Sequence, residues 1–315
     1  MSAPSFKIPS RPLTWLITGC SSGLGLSLTR YALSQGQRVI ATSRQPSRTP
    51  DLVTEVQNKG GEWHVLDVDD LSAANTLVES LEASGKHIDV LVNNAGSILF
   101  GAVEQLADEE LRRQMETLYF GPSRLIRAVI PRMRERRFGI VVNISSGAAL
   151  DGRDSMGGYA AAKAALDGMS LSHPLSWRGI YTHLTTASSR VLAKEVAPFN
   201  VRLLTVWLGT LNTSIGGGST LAQNALPEDY RGSVAEMMMN AIATGNFPAN
   251  GDKDKAAKSL FEAIVGEGIG AGREGEQFLP LGHDMIPRVT GIRDQCAHVL
   301  DVFGDVAQSI QLEKK

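Results

Sequence analysis

The sequence predicts an α/β fold, one domain built on a doubly wound parallel sheet with helices on both faces. Three observations carry that prediction. Short apolar, β-leaning runs alternate with stretches of helical periodicity. The first run passes into the first helical stretch through a cluster of glycines. Small polar residues stand at the ends of the runs, which is where sheets of this kind bind ligands.

Residues 1–12 form a polar lead, and the domain is read as 13–315. Thr14-Trp15-Leu16-Ile17-Thr18 is the first strand. Gly19-Cys20-Ser21-Ser22-Gly23-Leu24-Gly25 follows it, and a helix then carries Leu26, Leu28, Tyr31 and Leu33 to a stop at Gln35-Gly36. A glycine cluster alone is often only a tight turn. Between a strand and a helix it suits a dinucleotide, because glycines admit a pyrophosphate and the helix N-terminus offers free N–H groups. Residues 38–44 read as the second strand, ending in Ser43 and Arg44. An acid there would hold the ribose hydroxyl of NAD; an arginine suits the extra phosphate of NADP, so NADP is expected. The alternative for Arg44 is a solvated loop charge.

The third strand is 63–68, closing on Asp67 and Val68, and Ser72 is expected to cap a helix bearing Leu77, Val78 and Leu81. A fourth strand, 89–96, ends in Asn93-Asn94-Ala95-Gly96. One long helix is expected over 108–137, with Arg132, Arg134, Arg136 and Arg137 solvated at its C-terminal end. The fifth strand, 139–146, ends on Ser146, and the sixth spans 201–207. A helix at 255–265, an edge strand at 277–281 and a last helix at 292–310 complete the pattern, the last with Val299, Val302 and Phe303 on one side.

The chemistry gathers at Tyr159-Ala160-Ala161-Ala162-Lys163, with Ser146 upstream. Four residues apart on a helix, the phenol and the ammonium share a face. A free tyrosine titrates near pH 10, so the lysine is expected to lower the Tyr159 pKa and make it an acid/base at neutral pH. Ser146 is placed to hydrogen-bond the same oxygen. A tyrosine and lysine at this spacing occur in many helices by chance; the strand-end residues around them give the pair its weight.

Composition excludes other classes. The formal net charge is −2 with 43% hydrophobic and 20% charged residues, which gives no reason to expect nucleic acid as a partner. No apolar run approaches the about 18 residues of a membrane span, and no secretory leader is visible. Two cysteines, Cys20 and Cys296, make no disulfide framework and fit a reducing cytoplasm. The six histidines lack ligand spacing, so no metal is expected.

The residues Thr18-Gly19, Gly23 and Gly25, Asn93-Asn94-Ala95-Gly96, Ser146, Tyr159 and Lys163 resemble, in order and spacing, the short-chain dehydrogenase/reductase family, over about 13–215. Sequence around Gly251-Asp252 and Leu279-Pro280-Leu281-Gly282 is similar to its 17β-hydroxysteroid dehydrogenase subgroup, numerous in fungi, and a fungal source is expected. The resemblance implies a Rossmann-like fold and hydride transfer between NADP(H) and a ketone or secondary alcohol, on a small hydrophobic substrate such as a steroid, retinoid or polyketide-like molecule. It implies Tyr159 as acid/base, Lys163 as its partner and ribose ligand, and Ser146 on the substrate oxygen. It also implies Gly19, Ser22, Gly23, Leu24 and Gly25 around the pyrophosphate, Ser43 and Arg44 at the 2′-phosphate, Asp67 and Val68 at the adenine, Asn94 near the adenosine ribose and Thr213 on the carboxamide.

Three features depart from the family pattern. Leu118 stands where the family has a relay asparagine. Leu208-Gly209 replaces Pro-Gly, which is expected to loosen that turn. Residues 171–189 interrupt the catalytic helix as either a surface excursion or translated non-coding sequence, and they put the family's homodimer in doubt. Residues 213–250 are read as a substrate lid, with Met237, Met238, Met239 and Phe247 either lining the pocket or packing in the core. The alternatives to an active oxidoreductase are an impaired NADP-binding protein and a misassembled gene product.

Overall fold

Strand β1 (Thr14–Ile17) has all four residues buried, because helices cover both faces of the sheet it belongs to. The structure, a computed structural model, describes residues 6–170, 189–212, 219–245 and 249–310. Helix α1 (Gly23–Ser34) leads to β2 (Arg38–Ser43), α2 (Pro50–Asn58), β3 (Glu62–Val65), α3 (Ala73–Ala83) and β4 (Val90–Asn93). A two-residue strand, β5 (Leu99–Phe100), precedes α4 (Asp108–Met115), a π-helical turn (Glu116–Phe120) and α5 (Gly121–Arg136). Then come β6 (Gly139–Ile144), α6 (Ala148–Asp151), α7 (Gly157–Ser170), α8 (Ser189–Val196), β7 (Val201–Leu208) and β8 (Thr220–Leu221). Helices α9 (Val234–Ala243) and α10 (Lys253–Val265), strand β9 (Phe278–Leu281) and helix α11 (Met285–Ser309) complete the described chain.

Seven strands pair in parallel in the order β3-β2-β1-β4-β6-β7-β9. The order reverses between β1 and β4, and the crevice at such a switch point is where doubly wound sheets bind ligands. This is the expected Rossmann-like single domain. Alternation along the strands feeds two cores. Trp15, Ile17, Ile140 and Val142 pack on the α1/α10 side, and Leu16 and Val141 on the α3/α5 side. On the first side the chain closes end to end: Trp15 stacks on Phe261 of α10 at 5.4 Å, and Ser27 donates to Asp254 at 2.6 Å. A smaller cluster of Phe100, Leu118, Ala148, Met156, Tyr159 and Ala162 sits beyond the strand ends. Among the described residues no helix is long and apolar enough to cross a membrane, and no acidic, histidine and cysteine cluster could hold a metal.

Several elements differ from expectation. The predicted single helix over 108–137 contains the π turn. Pro122 has no N–H to give the Leu118 carbonyl, so the α ladder is broken there and the turn widens. Ser72 does not cap α3; the Asp70 carboxylate does, accepting Ser72 N at 2.7 Å and Ala73 N at 3.1 Å. The arginines ending α5 are not simply solvated, since Arg136 reaches Glu82 at 2.7 Å and the Ile88 carbonyl at 3.0 Å. The turn after β7 is not loose either. Gly209 N donates to Leu281 O, and Asp284 accepts from Thr210 N at 3.2 Å. Met237 is exposed, Met238 and Met239 are half-buried, and none lines the cleft described below. Helix α11 begins earlier than predicted and leaves Val299, Val302 and Phe303 exposed. Phe247, Thr213 and nearly all of the 171–189 segment lie outside the described residues.

Candidate active site

A cleft of about 480 Å³ runs along the carboxyl ends of β1, β2, β4, β6 and β7. Its first half is made by the turn after β1. Gly19 adopts a left-handed φ of +72°, a conformation open to glycine, and Thr18 binds the neighbouring strand end. The Thr18 hydroxyl accepts Asn94 N and Ala95 N, each at 2.9 Å, while Asn94 Nδ2 donates to Thr18 O at 2.8 Å and Gly19 O at 3.2 Å. The two turns are therefore one unit. Helix α1 starts at Gly23 with no acidic residue in its first turn, so its N-terminal N–H groups face the cleft without a competing anion. Ser43 and Arg44 line the same end, and Trp63 Nε1 donates to Ser43 Oγ at 3.0 Å. These residues fit a dinucleotide phosphate.

The second half holds Ser146, Tyr159 and Lys163. Ser146, just past β6, hydrogen-bonds the Tyr159 hydroxyl and accepts Ala148 N at 3.1 Å. Lys163, one turn after Tyr159 on α7, points its Nζ at the Ile144 carbonyl at 2.6 Å and lies 5.9 Å from the tyrosine ring centre. Leu118 is fully buried and lies so close to Gly96 that a Cβ there would stand 2.7 Å from its Cδ2.

The electrostatics correct one expectation. Burial pushes the Tyr159 pKa up to about 12, with Ser146 and Arg288 pulling it back down, and Lys163 is not among the groups that lower it. At neutral pH Tyr159 is a protonated phenol, a donor suited to a ketone oxygen. Burial also pushes Lys163 down to about 8, against the charge of Asp167, one turn further along α7. Asp167 is itself pushed up to about 7 by burial, although Ser145, Trp207 and Lys163 favour its ionised form; Trp207 Nε1 donates to it at 3.0 Å.

The pair gives a stability prediction. Asp167 keeps its proton to about pH 7 when folded but releases it near 3.8 when unfolded, so stability falls as pH rises between those values. Lys163 is depressed from 10.5 to about 8, so its contribution rises with pH between them. A stability minimum is expected near pH 7 to 8. Asp167→Asn, which mimics the protonated acid, should flatten the acid-side decline, worth on the order of a few kcal/mol. Melting temperatures from pH 4 to 8 check this, and parallel curves for the two proteins count against it.

Gly19, Ser22, Gly23, Leu24, Ser43, Arg44, Val68, Asn94, Ser146, Tyr159 and Lys163 all line the cleft. Two predicted residues do not. Gly25 lies beneath it, where a Cβ would meet Asn94 Nδ2 at 2.4 Å and Gly19 O at 2.5 Å. Asp67 turns its carboxylate to Asp69 N at 3.1 Å, and Asp69 lines the wall instead, held by Thr117 at 3.0 Å. Burial raises the Asp69 pKa. The acidic run after β3 was the available signal for Asp69. Arg153, Thr210 and Arg288 also line the cleft, and no local motif marks them.

A family model described as short chain dehydrogenase matches residues 14–184. The chain is 36% identical over 201 residues to "Oxidoreductase claN" of Passalora fulva, covering 64% of this chain and 83% of that protein. It is 33% identical over 224 residues to a 3-ketodihydrosphingosine reductase of Bacteroides thetaiotaomicron, covering 71% and 73%. A solved short-chain dehydrogenase from Streptomyces avermitilis superposes with a TM-score of 0.79 at 31% identity, covering 96% of this chain and all (100%) of that one. One from Sphingobium yanoikuyae in complex with NADPH shares the fold, with a TM-score of 0.65 at 20% identity, covering 96% and 97%.

Proposed function

The chain belongs to the short chain dehydrogenase family and is an oxidoreductase; from that premise we propose that it reduces a hydrophobic ketone to a secondary alcohol with NADPH. The observation that carries the proposal is the meeting of Ser146, Tyr159 and Lys163 in the cleft that also holds the glycine turn and Arg44. When bound, the cofactor supplies the hydride. Ser146 and Tyr159 hold the ketone oxygen, and Tyr159, protonated at neutral pH, delivers its proton there. Lys163 would hold the nicotinamide ribose, and Thr213, outside the described residues, would be the carboxamide's partner. The 3-ketodihydrosphingosine reductase among the relatives supports a long-chain ketone.

The finer parts of the reading travel with it. They are the 17β-hydroxysteroid dehydrogenase-like subgroup and fungal origin, a lid region near 213–250, an atypical segment at 171–189 that is either a surface excursion or translated non-coding sequence, and a homodimer that this segment puts in doubt. Two free, buried cysteines support a cytoplasmic setting. Specificity for NADP rests on Arg44 and on the missing acid beside it. Titration by cofactor fluorescence is expected to show NADPH bound at least about tenfold more tightly than NADH, a preference that Arg44→Ala removes. Equal binding by the wild type would overturn the NADP assignment.

Leu118 favours a second reading, an enzyme slowed by the loss of a polar relay side chain. Leu118→Asn should then raise turnover about ten- to hundredfold. Unchanged single-turnover rates in a folded variant would rule this out.

A further inference from the structure

Two arginines reach the Tyr159 end of the cleft from different elements. Arg153 stands in the turn between α6 and α7, and Arg288 comes from α11, beyond the segment matched to the family. Arg288 is fixed. Its Nε and Nη2 donate to Asp151 at 2.6 and 2.5 Å, its Nη1 lies 3.6 Å from Asp284, and its side chain is 11% exposed. Gly147, next to Ser146, packs so closely on the guanidinium that a Cβ would lie 2.4 Å from Nη1. A guanidinium carries five N–H groups, and Asp151 takes one from Nε and one from Nη2. Asp284 engages Nη1 as well, which leaves the outer edge, with at most one donor each on Nη1 and Nη2, for a ligand. Arg153 is exposed and makes no ion pair among the described residues.

The signs along the wall are uneven. Arg44, Arg153, Lys163 and Arg288 line the cleft, against Asp69 alone among the carboxylates, and Asp69 is felt by Arg44 at the other end. Beside Ser146 and Tyr159 no carboxylate lines the wall, though Asp151 and Asp284 offset the Arg288 charge from outside the lining. The wall there offers the outer edge of Arg288 and the charge of Arg153, unpaired among the described residues. Next to them it is apolar, with Ile98, Phe100 and Met156. The Arg288 charge already reaches the Tyr159 oxygen, where it favours the ionised form. Planar guanidinium groups match the paired oxygens of a carboxylate, and a concave wall concentrates their field.

We propose that the substrate is an oxo or hydroxy acid, its carboxylate held between Arg153 and the free edge of Arg288 and its hydrocarbon chain against the apolar wall. The proposal rests on the reading of Ser146 and Tyr159 as the reaction centre and narrows its substrate class.

Calorimetric titration of the NADP+-loaded protein with 3-hydroxydecanoate and with 2-nonanol, the same chain without the carboxylate, tests it. Wild type is expected to bind the acid about tenfold or more tightly than the alcohol. Arg153→Gln should bring that ratio to within about threefold of one, and the charge reversal Arg153→Glu should invert it. Cofactor titration confirms that each variant is folded. Equal affinity for both compounds, binding of neither, or a ratio that survives both substitutions overturns the proposal. The readout is binding, so a protein that prefers the acid but oxidises neither compound overturns the reductase reading and leaves this one standing.

Discussion

Replacing Tyr159 with phenylalanine is expected to lower turnover by about 10³-fold or more while leaving NADPH affinity within about twofold. The substitution removes one oxygen and keeps the ring, which is 8% exposed and packed with Phe100, Leu118 and Met156. Ser146 keeps its contact with Ala148 N, so the turn after β6 retains its shape. What is lost is the donor that Ser146 aligns toward a ketone oxygen. Steady-state reduction of a screened ketone, together with cofactor titration, separates the two effects. A variant as active as the wild type would show that the proton comes from elsewhere.

Gly25→Ala is expected to weaken NADPH binding at least about tenfold and to destabilise the protein by about 1–3 kcal/mol. The new methyl would stand 2.4 Å from Asn94 Nδ2 and 2.5 Å from the Gly19 carbonyl. The second neighbour is backbone and cannot swing aside. The Asn94 amide would have to give up its bonds to Thr18 and Gly19, and those bonds join the glycine turn to the end of β4. Gly275→Ala is the control, because nothing lies within 4 Å of the added carbon. Thermal melts and fluorescence titrations of both variants decide it, and matching behaviour would remove Gly25 from the site's construction.

The sheet was legible in the sequence because its inner strands, β1, β4, β6 and β7, are short apolar runs buried on both faces, and both cores draw on alternate residues of the same strands. The turns at the strand ends were legible because they need small residues. Features that depend on tertiary contact were not. The π turn follows from Pro122 acting within a helix whose periodicity reads as continuous, and the Asp70 cap replaces a serine with equal local claim. The Tyr159 pKa moved opposite to expectation because helical spacing says which side chains share a face, not how deeply they lie or where the lysine points. Its Nζ is held at the Ile144 carbonyl. Arg153 and Arg288 carry no motif, since far-apart segments bring them together.

The stacking of Trp15 against Phe261 ties the order of synthesis to the time at which the protein becomes whole. A nascent chain emerges from its first strand onward, and domains tend to form as their sequence becomes available. Here the cover for that first strand lies near the far end. Until α10 has emerged, Trp15 and the surface of α1 around Tyr31, which also meets Phe261, lack their partner, and the Ser27 to Asp254 bond cannot form. Ribosome-bound chains ending before residue 250 should therefore remain protease-sensitive at their start, with protection arriving once α10 has cleared the exit tunnel.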